Sequence, residues 1–218
     1  MNKNIIIAID GNAASGKGTL ARKLAKNFNY AYLDTGKLYR ASALLIKEND
    51  INYKNIQEVI SFIRNYDFSN FSFNNNKLKS NEIGKLASLI SSYKELRKIL
   101  LVYQREFATT LNKNRLGAIL DGRDIGTVVL PKANIKFFIT ASIAVRTERR
   151  WKELISLGQS TIKRHVEKDI RDREKRDTER KHSPLIPSKD AVLIDTTNLD
   201  ANEVFLLAKK HIVEYLKE

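Results

Sequence analysis

A glycine-rich segment near the N-terminus constrains the fold more than any other feature of the chain. Residues 11–19 read Gly11-Asn12-Ala13-Ala14-Ser15-Gly16-Lys17-Gly18-Thr19, after the apolar run 5–9 and before a helical pattern. A strand, a G-x-x-x-x-G-K loop and a helix in this order are typical of a phosphate-binding loop. Glycines let backbone N–H groups turn toward an anion, and the following helix adds its positive end. The alternative is a glycine-rich turn without a ligand, which the flanking strand and helix disfavour.

Two side chains of this segment, called the phosphate loop below, have the chemistry to act on phosphates. Lys17 can reach the outer phosphates as a point charge, and the hydroxyl of Thr19 can hold Mg²⁺. The hydroxyl usually follows the lysine directly, but Gly18 intervenes here and gives G-K-G-T. The loop therefore predicts the binding of a polyphosphate together with Mg²⁺.

The composition bounds the size of the protein and the nature of its partners. The chain has 218 residues, enough for one α/β domain with an insert or a lid. It has no cysteine, which excludes disulfides and cysteine-based zinc sites, and no apolar run approaches the roughly 20 residues of a membrane span. A cytoplasmic location is expected, because the first residues lead straight into an apolar run. The net charge of +14 favours anionic partners, either nucleic acid or small phosphates.

Short apolar runs separated by helical patterns indicate the fold class. Such runs are typical of parallel strands covered on both faces. Predicted strands occupy residues 5–10, 30–33, 117–120, 135–139 and 191–194, and predicted helices occupy residues 17–27, 35 to about 48, 56–64, 83–91 and 94–112. Alternating aromatic and polar residues at 68–73 predict a small strand or hairpin, with 74–76 as its turn. The prediction is an α/β fold with a doubly wound, five-stranded parallel sheet.

Polar signatures stand where the predicted strands end. They are Asp10-Gly11, Asp34-Thr35-Gly36, Asp121-Gly122-Arg123-Asp124 and Asp195-Thr196-Thr197. Ligands of parallel sheets bind at the carboxyl ends of the strands. Arg40 and Arg123 lie near two of these signatures, where each could face a phosphate or pair with a carboxylate for structure. The signatures together predict one ligand-binding edge of the sheet.

The most charged stretch of the chain, residues 145–180, has two interpretations. Arg173, Asp177 and Arg180 are spaced to share one face of a helix. The stretch could be a solvated helix with ion pairs along it, or a mobile lid that brings arginines over a phosphate. Arginine suits the second role, because its planar guanidinium binds phosphate oxygens bidentately and stays charged. The phosphate loop elsewhere in the chain favours the lid.

These motifs together resemble the bacterial-type cytidylate (CMP/dCMP) kinase family of P-loop nucleoside monophosphate kinases, over essentially the whole chain. The most specific element is the run Asp121-Gly122-Arg123-Asp124-Ile125-Gly126-Thr127-Val128-Val129. The other matching segments are residues 7–19, 33–40, 173–180, 184–187 and 191–197. Three departures stand out. The family's usual proline ahead of a Val/Leu-Arg pair is absent from Tyr93-Lys94-Glu95-Leu96-Arg97. Residues 71–83 look shorter than the family's usual insert, and Asn12 replaces a common proline, with little effect expected.

The resemblance implies a fold and a donor site. The fold is a P-loop three-layer α/β/α core with an inserted monophosphate-binding domain and a short arginine-rich lid. The core takes about 1–34, 114–150 and 186–218, the monophosphate-binding region about 35–113 and the lid about 151–185. Lys17 and the amides of the phosphate loop would bind ATP, with Thr19 on Mg²⁺. Asp121 could join the Mg²⁺ through water or be a plain strand-end carboxylate.

The resemblance also implies an acceptor site for CMP or dCMP. Arg97 and Asp124 would read the cytosine edge, and Thr35 would lie near the pyrimidine. The pentose would face Ser88, Arg173 and Asp177, the phosphates would be held by Arg40, Arg123 and Arg180, and Tyr39 would join the acceptor site. Lys17, Arg123, Arg173 and Arg180 would act in catalysis. A carboxylate accepts from the cytosine amine, whereas the uracil carbonyl would face it as a second acceptor.

The expected reaction is Mg²⁺-dependent transfer of the ATP γ-phosphoryl group to CMP or dCMP, with alternatives of other classes. A kinase of the same type acting on UMP or AMP remains open. A GTPase is disfavoured because no N-K-x-D segment is present. An RNA-binding module would need surface aromatics among the basic residues, and the basic stretch has only Trp151. We therefore expect nucleotides as partners, neither membrane nor nucleic acid, and a monomer.

Overall fold

A five-stranded parallel sheet organises the part of the chain that carries the phosphate loop. Its strands are β1 (Ile5–Gly11), β2 (Ala31–Asp34), β3 (Gly117–Gly122), β4 (Ile135–Thr140) and β5 (Val192–Asp195), in the spatial order β2-β3-β1-β4-β5. The structure is a computed structural model that describes residues 5–110 and 115–217. All four strand pairings are parallel, so the prediction of a five-stranded parallel sheet is confirmed.

The strands form where the sequence is apolar because both faces of the sheet are covered. β3 is buried along its whole length, and β1 and β4 are buried at all but one position each. Helices α1 (Lys17–Phe28) and α8 (Ala201–Lys217) contribute Leu24 and Ile212 to the core around Ile9 and Phe137. The observed strands start and end within two residues of the predicted ones.

The chain comprises two compact units, and the sheet lies in the first, which contains residues up to Asp34 and from Arg105 onward. In this unit α6 (Ile143–Ser156) and α7 (Lys163–Glu179) pack against each other around a small core of Leu154, Val166 and Ile170. These helices carry most of the arginine-rich stretch. No helix in the described residues is both long enough and apolar enough to cross a bilayer.

In the second unit, Thr35–Gln104, the regular secondary structure is all helical, and turns connect the helices. It contains α2 (Thr35–Glu48), α3 (Ile56–Arg64), α4 (Asn81–Ile90) and the first part of α5 (Lys94–Thr109). The side chains of Asn55 and Ser80 cap α3 and α4 by accepting from the N–H groups of Glu58 and Ile83. The predicted helices of this unit are confirmed, although α5 ends before the predicted residue 112, and residues 111–114 lie outside the described residues.

The predicted strand or hairpin at 68–73 is wrong. The structure has two short 3₁₀ turns instead, Phe68–Asn70 and Asn76–Lys79. The aromatic residues of this segment cluster locally, because the ring of Tyr66 packs edge-on against Phe68 at 5.2 Å and against Phe71 at 6.5 Å. The side chain of Asn75 accepts from the N–H of Lys77 and starts the second turn. Aromatic packing and an asparagine cap therefore stabilise turns where alternation alone favoured a strand.

Candidate functional site

The phosphate loop leaves β1 through a backbone that requires glycine. Gly11 has φ +151°, and a Cβ atom there would stand 2.0 Å from the carbonyl oxygen of Ile139 on β4. Ala14 and Gly16 also have positive φ, at +60° and +92°. Non-glycine residues seldom adopt such angles, so Ala14 is held there by its surroundings. Three residues with positive φ within six positions curl the chain into the concave loop that the sequence predicts.

The end of the loop offers donors to an anion. Helix α1 begins at Lys17 without a side-chain cap, and its positive N-terminal end lies at the loop. The hydroxyl of Ser15 is fully buried and has no hydrogen-bond partner in the described part of the chain. A buried polar atom without a partner is costly unless something else satisfies it. The donors present fit a phosphate group.

Lys17 and Asp121 lie close enough in this loop's surroundings for each to influence the pKa of the other. The Lys17 ammonium donates to the carbonyl oxygen of Asn12 at 3.4 Å. Burial and the nearby Arg123 lower the pKa of Lys17, and the carboxylates of Asp121 and Asp34 oppose this change. Burial and Asp34 raise the pKa of Asp121 in turn. An incoming phosphate would favour the charged form of Lys17, so the site is poised for an anion.

The groups that could hold Mg²⁺ are oxygen donors beside the loop. The hydroxyl of Thr19 is near the surface and accepts from Arg22 at 3.4 Å. Asp121 is 3% exposed, accepts from the hydroxyl of Tyr32 at 3.2 Å and faces Gly18, where a Cβ atom would stand 3.3 Å from its Oδ2. The described residues contain no cluster of three or more histidine, cysteine or acidic ligands. Mg²⁺ needs only one or two protein ligands when phosphates and water complete its shell, so this donor set fits.

Three arginines share one buried carboxylate, and we call Asp177 with Arg123, Arg173 and Arg180 the arginine cluster. Arg123 Nε donates to Asp177 Oδ2 at 2.9 Å, Arg173 Nε lies 3.7 Å from the same oxygen, and Arg180 Nη1 lies 3.9 Å from Oδ1. Burial would raise the pKa of Asp177, but Arg123 and Arg173 outweigh it and hold the pKa below its usual value. The structure thus brings together four predicted site residues from the strand-end run, from α7 and from the residue that follows α7.

Each of the two interpretations of the charged stretch fits a different part of α7. Arg171 pairs with Glu167 at 2.7 Å on the exposed side, as in a solvated helix with ion pairs. Asp177, one turn and a half later, is buried, and Arg180 follows directly after the helix with an extended backbone. The exposed side of α7 therefore carries a surface ion pair, while Asp177 in the last turn belongs to the arginine cluster.

Asp124 and Asp10 lie at a short π-helical turn, Ile125–Val129. Asp124 is buried, and its Oδ1 lies 3.8 Å from Arg180 Nη2. Asp10 Oδ1 and Oδ2 accept from the N–H groups of Ile125 and Gly126, both at 2.8 Å. Burial raises the pKa of Asp10 to about 6, although these two hydrogen bonds oppose the change. The sequence marked Asp10 as a strand-end residue without giving it a role.

Two further contacts tie α6 and α7 to the phosphate loop, and sequence reasoning missed both. Asn12 Nδ2 donates to Glu174 Oε1 at 2.5 Å, and Glu174 Oε2 accepts from Arg146 at 2.8 Å. Arg149 donates to the hydroxyl and carbonyl oxygens of Thr196, each at 2.8 Å, and to the carbonyl oxygen of Ser15 in the loop at 3.4 Å. From the sequence, Arg149 is one residue of the charged stretch and Thr196 is one residue of a strand-end signature, and neither pattern predicts their contact.

A cavity of about 460 Å³ adjoins the phosphate loop in the same unit. Its lining includes Ser15, Thr19, Arg149, Thr196 and the start of α8. The lining combines apolar side chains with a few polar groups, as small-molecule sites do. The cavity therefore extends the phosphate loop into a site large enough for more than a phosphate.

The second unit holds the remaining predicted residues. Arg97 is 9% exposed, donates to the carbonyl oxygen of Ser91 at 3.2 Å and stacks over the ring of Tyr39 at 5.5 Å. Arg40 donates to the carbonyl oxygens of Leu78 and Ser80. Among the residues the sequence singled out here, Thr35 and Ser88 are also buried, at 3% and 5% exposure. The structure thus brings Arg97 and Tyr39 together and shows Arg40 bound to backbone carbonyls.

Comparison with known proteins gives concordant matches. The sequence model of the cytidylate kinase family matches residues 7–218. A cytidylate kinase of Bartonella tribocorum is 41% identical over 217 residues, covering 99% of this chain and 97% of the relative. A cytidylate kinase of Rhodospirillum rubrum is 43% identical over 204 residues, covering 94% and 95%. A solved structure of an uncharacterised Eubacterium ventriosum protein covers 96% of this chain and 98% of its own at 14% identity, with a TM-score of 0.53, which shows the fold alone.

Proposed function

Because this chain belongs to the cytidylate kinase family, we propose that it transfers the γ-phosphoryl group of ATP to the phosphate of CMP or dCMP, giving CDP or dCDP. The observation that carries the chemistry is the position of Lys17. Its ammonium lies at the phosphate loop, close enough to Arg123 and Arg173 for both to lower its pKa. Cations concentrated around an anion-binding loop are what phosphoryl transfer requires.

The donor nucleotide fits the phosphate loop and the adjoining cavity. The loop amides and Lys17 would hold the β- and γ-phosphates of ATP, and the nucleoside would enter the cavity beside Arg149 and Thr196. Thr19 and, through water, Asp121 are the residues that would hold Mg²⁺. When bound, Mg²⁺ neutralises charge that develops on the phosphate oxygens.

The reaction needs no general base in this chain. The acceptor is a phosphate oxygen that is already anionic; it forms a bond to the γ-phosphorus while the bond to the ADP oxygen breaks. The chain's own residues position the two phosphates and offset their negative charge. Lys17, Arg123, Arg173 and Arg180 are the cations for this purpose. We further propose that residues of about 151–185, which include α7, act as the lid, because they carry Arg173 and Arg180 and closure would exclude water.

The enzyme would select its acceptor by recognising the nucleotide base. We assign Asp124, together with Arg97, to the cytosine edge, because a carboxylate accepts from an exocyclic amine and a guanidinium donates to ring acceptors. Ser88, Arg173 and Asp177 are assigned to the pentose, and Thr35 and Tyr39 to the pyrimidine surroundings. Arg40, Arg123 and Arg180 are assigned to phosphates, and Arg40 would have to exchange carbonyl partners for this. Family membership supports these assignments.

Family membership also supports the wider setting. We propose that the enzyme depends on Mg²⁺, works in the cytoplasm as a monomer, and belongs to pyrimidine nucleotide metabolism. A kinase of the same type acting on UMP or AMP is the alternative that the acceptor test below separates.

The test is ADP release from ATP and Mg²⁺ against CMP, dCMP, UMP, dTMP, AMP and GMP. Fast turnover is expected with CMP and dCMP and slow turnover with UMP. Asp124→Asn places an amide donor where the carboxylate was, so the preference for CMP over UMP should fall at least tenfold, about 1.4 kcal/mol. Lys17→Ala should lower mainly kcat.

The matched control is Asp172→Asn, the same change at an exposed site of α7. It should leave all acceptor preferences unchanged. Fastest turnover with another acceptor would support a kinase activity but reject the assignment of Asp124 and Arg97 to the cytosine edge. Unchanged discrimination in Asp124→Asn would reject Asp124 alone, and no ADP release with any acceptor would reject the proposed function.

A further inference from the structure

The turn that follows Arg123 and Asp124 is held at both ends by charged side chains outside it. The turn, Ile125–Val129, is a single π-helical turn whose N–H groups of Val128 and Val129 both point back to the carbonyl oxygen of Asp124, at 2.9 and 3.1 Å. A π-helical turn is rare and is found mostly at functional positions. The backbone conformation of Asp124 is thus part of the turn itself, and whatever fixes the turn fixes Asp124.

Asp10 holds the first end. An aspartate in the cap position of a helix usually accepts from the helix's own first N–H groups. Asp124 is in that position and makes no side-chain cap hydrogen bond. The carboxylate of Asp10, 4% exposed at the end of β1, accepts from the N–H groups of Ile125 and Gly126 in its place. The Asp124 carboxylate is thereby directed away from its own turn, toward Arg180.

Arg105 on α5 holds the other end. Its Nε and Nη2 donate to the carbonyl oxygens of Val129 and Val128, both at 3.0 Å. A carboxylate on the N–H end and a guanidinium on the carbonyl end both match the dipole of the turn. Gly126 leaves the turn no spare room, because a Cβ atom there would stand 3.1 Å from Lys136 Cδ and 3.4 Å from Asp10 Oδ2.

We propose that Asp10 and Arg105 are positioning residues for the acceptor nucleotide, fixing through this turn the orientation of Arg123 and Asp124. The proposal rests on the proposed function, in which those two residues contact the acceptor. Neither positioning residue touches a substrate in it. Within the described residues, both hydrogen bonds of the Asp10 carboxylate go to the turn, although Asp10 directly precedes the phosphate loop. Loss of either residue should therefore affect the acceptor more than ATP.

The experiment measures KM for CMP and for ATP, and the CMP to UMP preference, in Asp10→Asn, Arg105→Ala and Arg105→Lys. Asp10→Asn keeps the shape but loses one acceptor oxygen, so KM for CMP should rise about tenfold, the effect of a lost cap. Arg105 is exposed, so Arg105→Ala should raise KM for CMP about threefold. Arg105→Lys should give an intermediate value. KM for ATP should change less than twofold in each.

Arg64→Ala, at an exposed arginine of α3, is the control and should change neither KM. Equal factors on both KM values, or no change in either, would overturn the proposal. If Asp10→Asn does not fold, Arg105→Ala and Arg105→Lys decide alone, because their site is exposed. Failure of the proposed function is distinct, because it appears in the unmodified enzyme as turnover of another acceptor. The same variants are then measured with that acceptor.

Discussion

Replacing Asp177 with asparagine removes the single charge that three arginines share. The carboxylate side chain is 6% exposed, and its partners Arg123 and Arg180 are 13% and 7% exposed. Removing one partner of a buried ion pair costs about 3–5 kcal/mol, because it leaves the other charge uncompensated. The asparagine oxygen still accepts one hydrogen bond and Arg173 is 28% exposed, so the lower end applies, about 3 kcal/mol. For a chain of this size that lowers Tm by roughly 6–12 °C.

The assay is urea denaturation with and without inorganic phosphate, with Asp172→Asn as the control. Phosphate replaces the missing negative charge, so it should stabilise Asp177→Asn more than the unmodified protein. If its affinity for the arginine cluster rises tenfold, the additional gain is about 1.4 kcal/mol. Asp172→Asn, exposed on the same helix, should change stability by less than about 0.5 kcal/mol and leave the phosphate response unchanged.

The pH dependence gives a second check on the same carboxylate. The arginines hold the folded-state pKa of Asp177 below its usual 3.8. Such a group stabilises the fold fully above its unfolded pKa and loses that contribution as the pH falls through the folded pKa. The difference in free energy of unfolding between the unmodified protein and Asp177→Asn should therefore be largest at neutral pH and should disappear as the pH falls below 3.8. A gap independent of pH, or an equal phosphate response in both proteins, would refute the shared-carboxylate reasoning.

Three further predictions test other contacts. Asn12→Ala should lower the free energy of unfolding by about 1.5 kcal/mol, the contribution of a hydrogen bond to a charged group. In a double-mutant cycle with Glu174→Ala, additive effects would show that the two side chains do not interact. Asp10→Asn should change the pH dependence of stability, because the raised pKa of Asp10 makes the fold bind more protons than the unfolded chain between pH 3.8 and about 6. The unmodified protein should lose about 3 kcal/mol relative to the variant as pH rises through that window, and parallel curves would contradict this. Gly11→Ala should prevent folding to the native state, measured by near-UV circular dichroism, because its Cβ atom would stand 2.0 Å from a backbone oxygen of β4.

The sheet and its ligand edge could be predicted because both depend on local pattern. A strand buried on both faces must be apolar along its length, so β1, β3 and β4 are visible as runs. Parallel pairing then puts their ends together. In the structure Asp121 is opposite Ile9 and Asp34, as the position of the polar signatures requires. The phosphate loop follows from the same logic, because its glycines and lysine act within nine consecutive residues.

The segment 68–73 and the Asn12 contact could not be predicted, for two different reasons. Alternating aromatics fit a strand only if a neighbouring strand pairs with it, and the described part of the second unit has none. Aromatic packing onto Tyr66 is the competing solution, and pattern does not distinguish the two. The partner of Asn12 is Glu174, 162 residues away, which depends on how α7 packs. A single asparagine in a loop carries no signal for such a contact.

In the candidate site, carboxylates already lie beside the cations that would bind a phosphate. Tighter binding of phosphate, obtained by removing such a carboxylate, is therefore not expected to raise kcat. Arg123 faces Asp177, Lys17 lies near Asp121, and a phosphate entering the site must compete with these partners. Binding is an exchange of anions, so removing a carboxylate should strengthen the binding of phosphate while it destabilises the fold. Stronger binding of the ground state does not raise kcat, because only interactions that grow in the transition state do so. Asp177→Asn should therefore bind inorganic phosphate more tightly and yet turn over no faster than the unmodified enzyme. An increase in kcat would show that Asp177 restrains the arginines in the transition state, contrary to this reasoning.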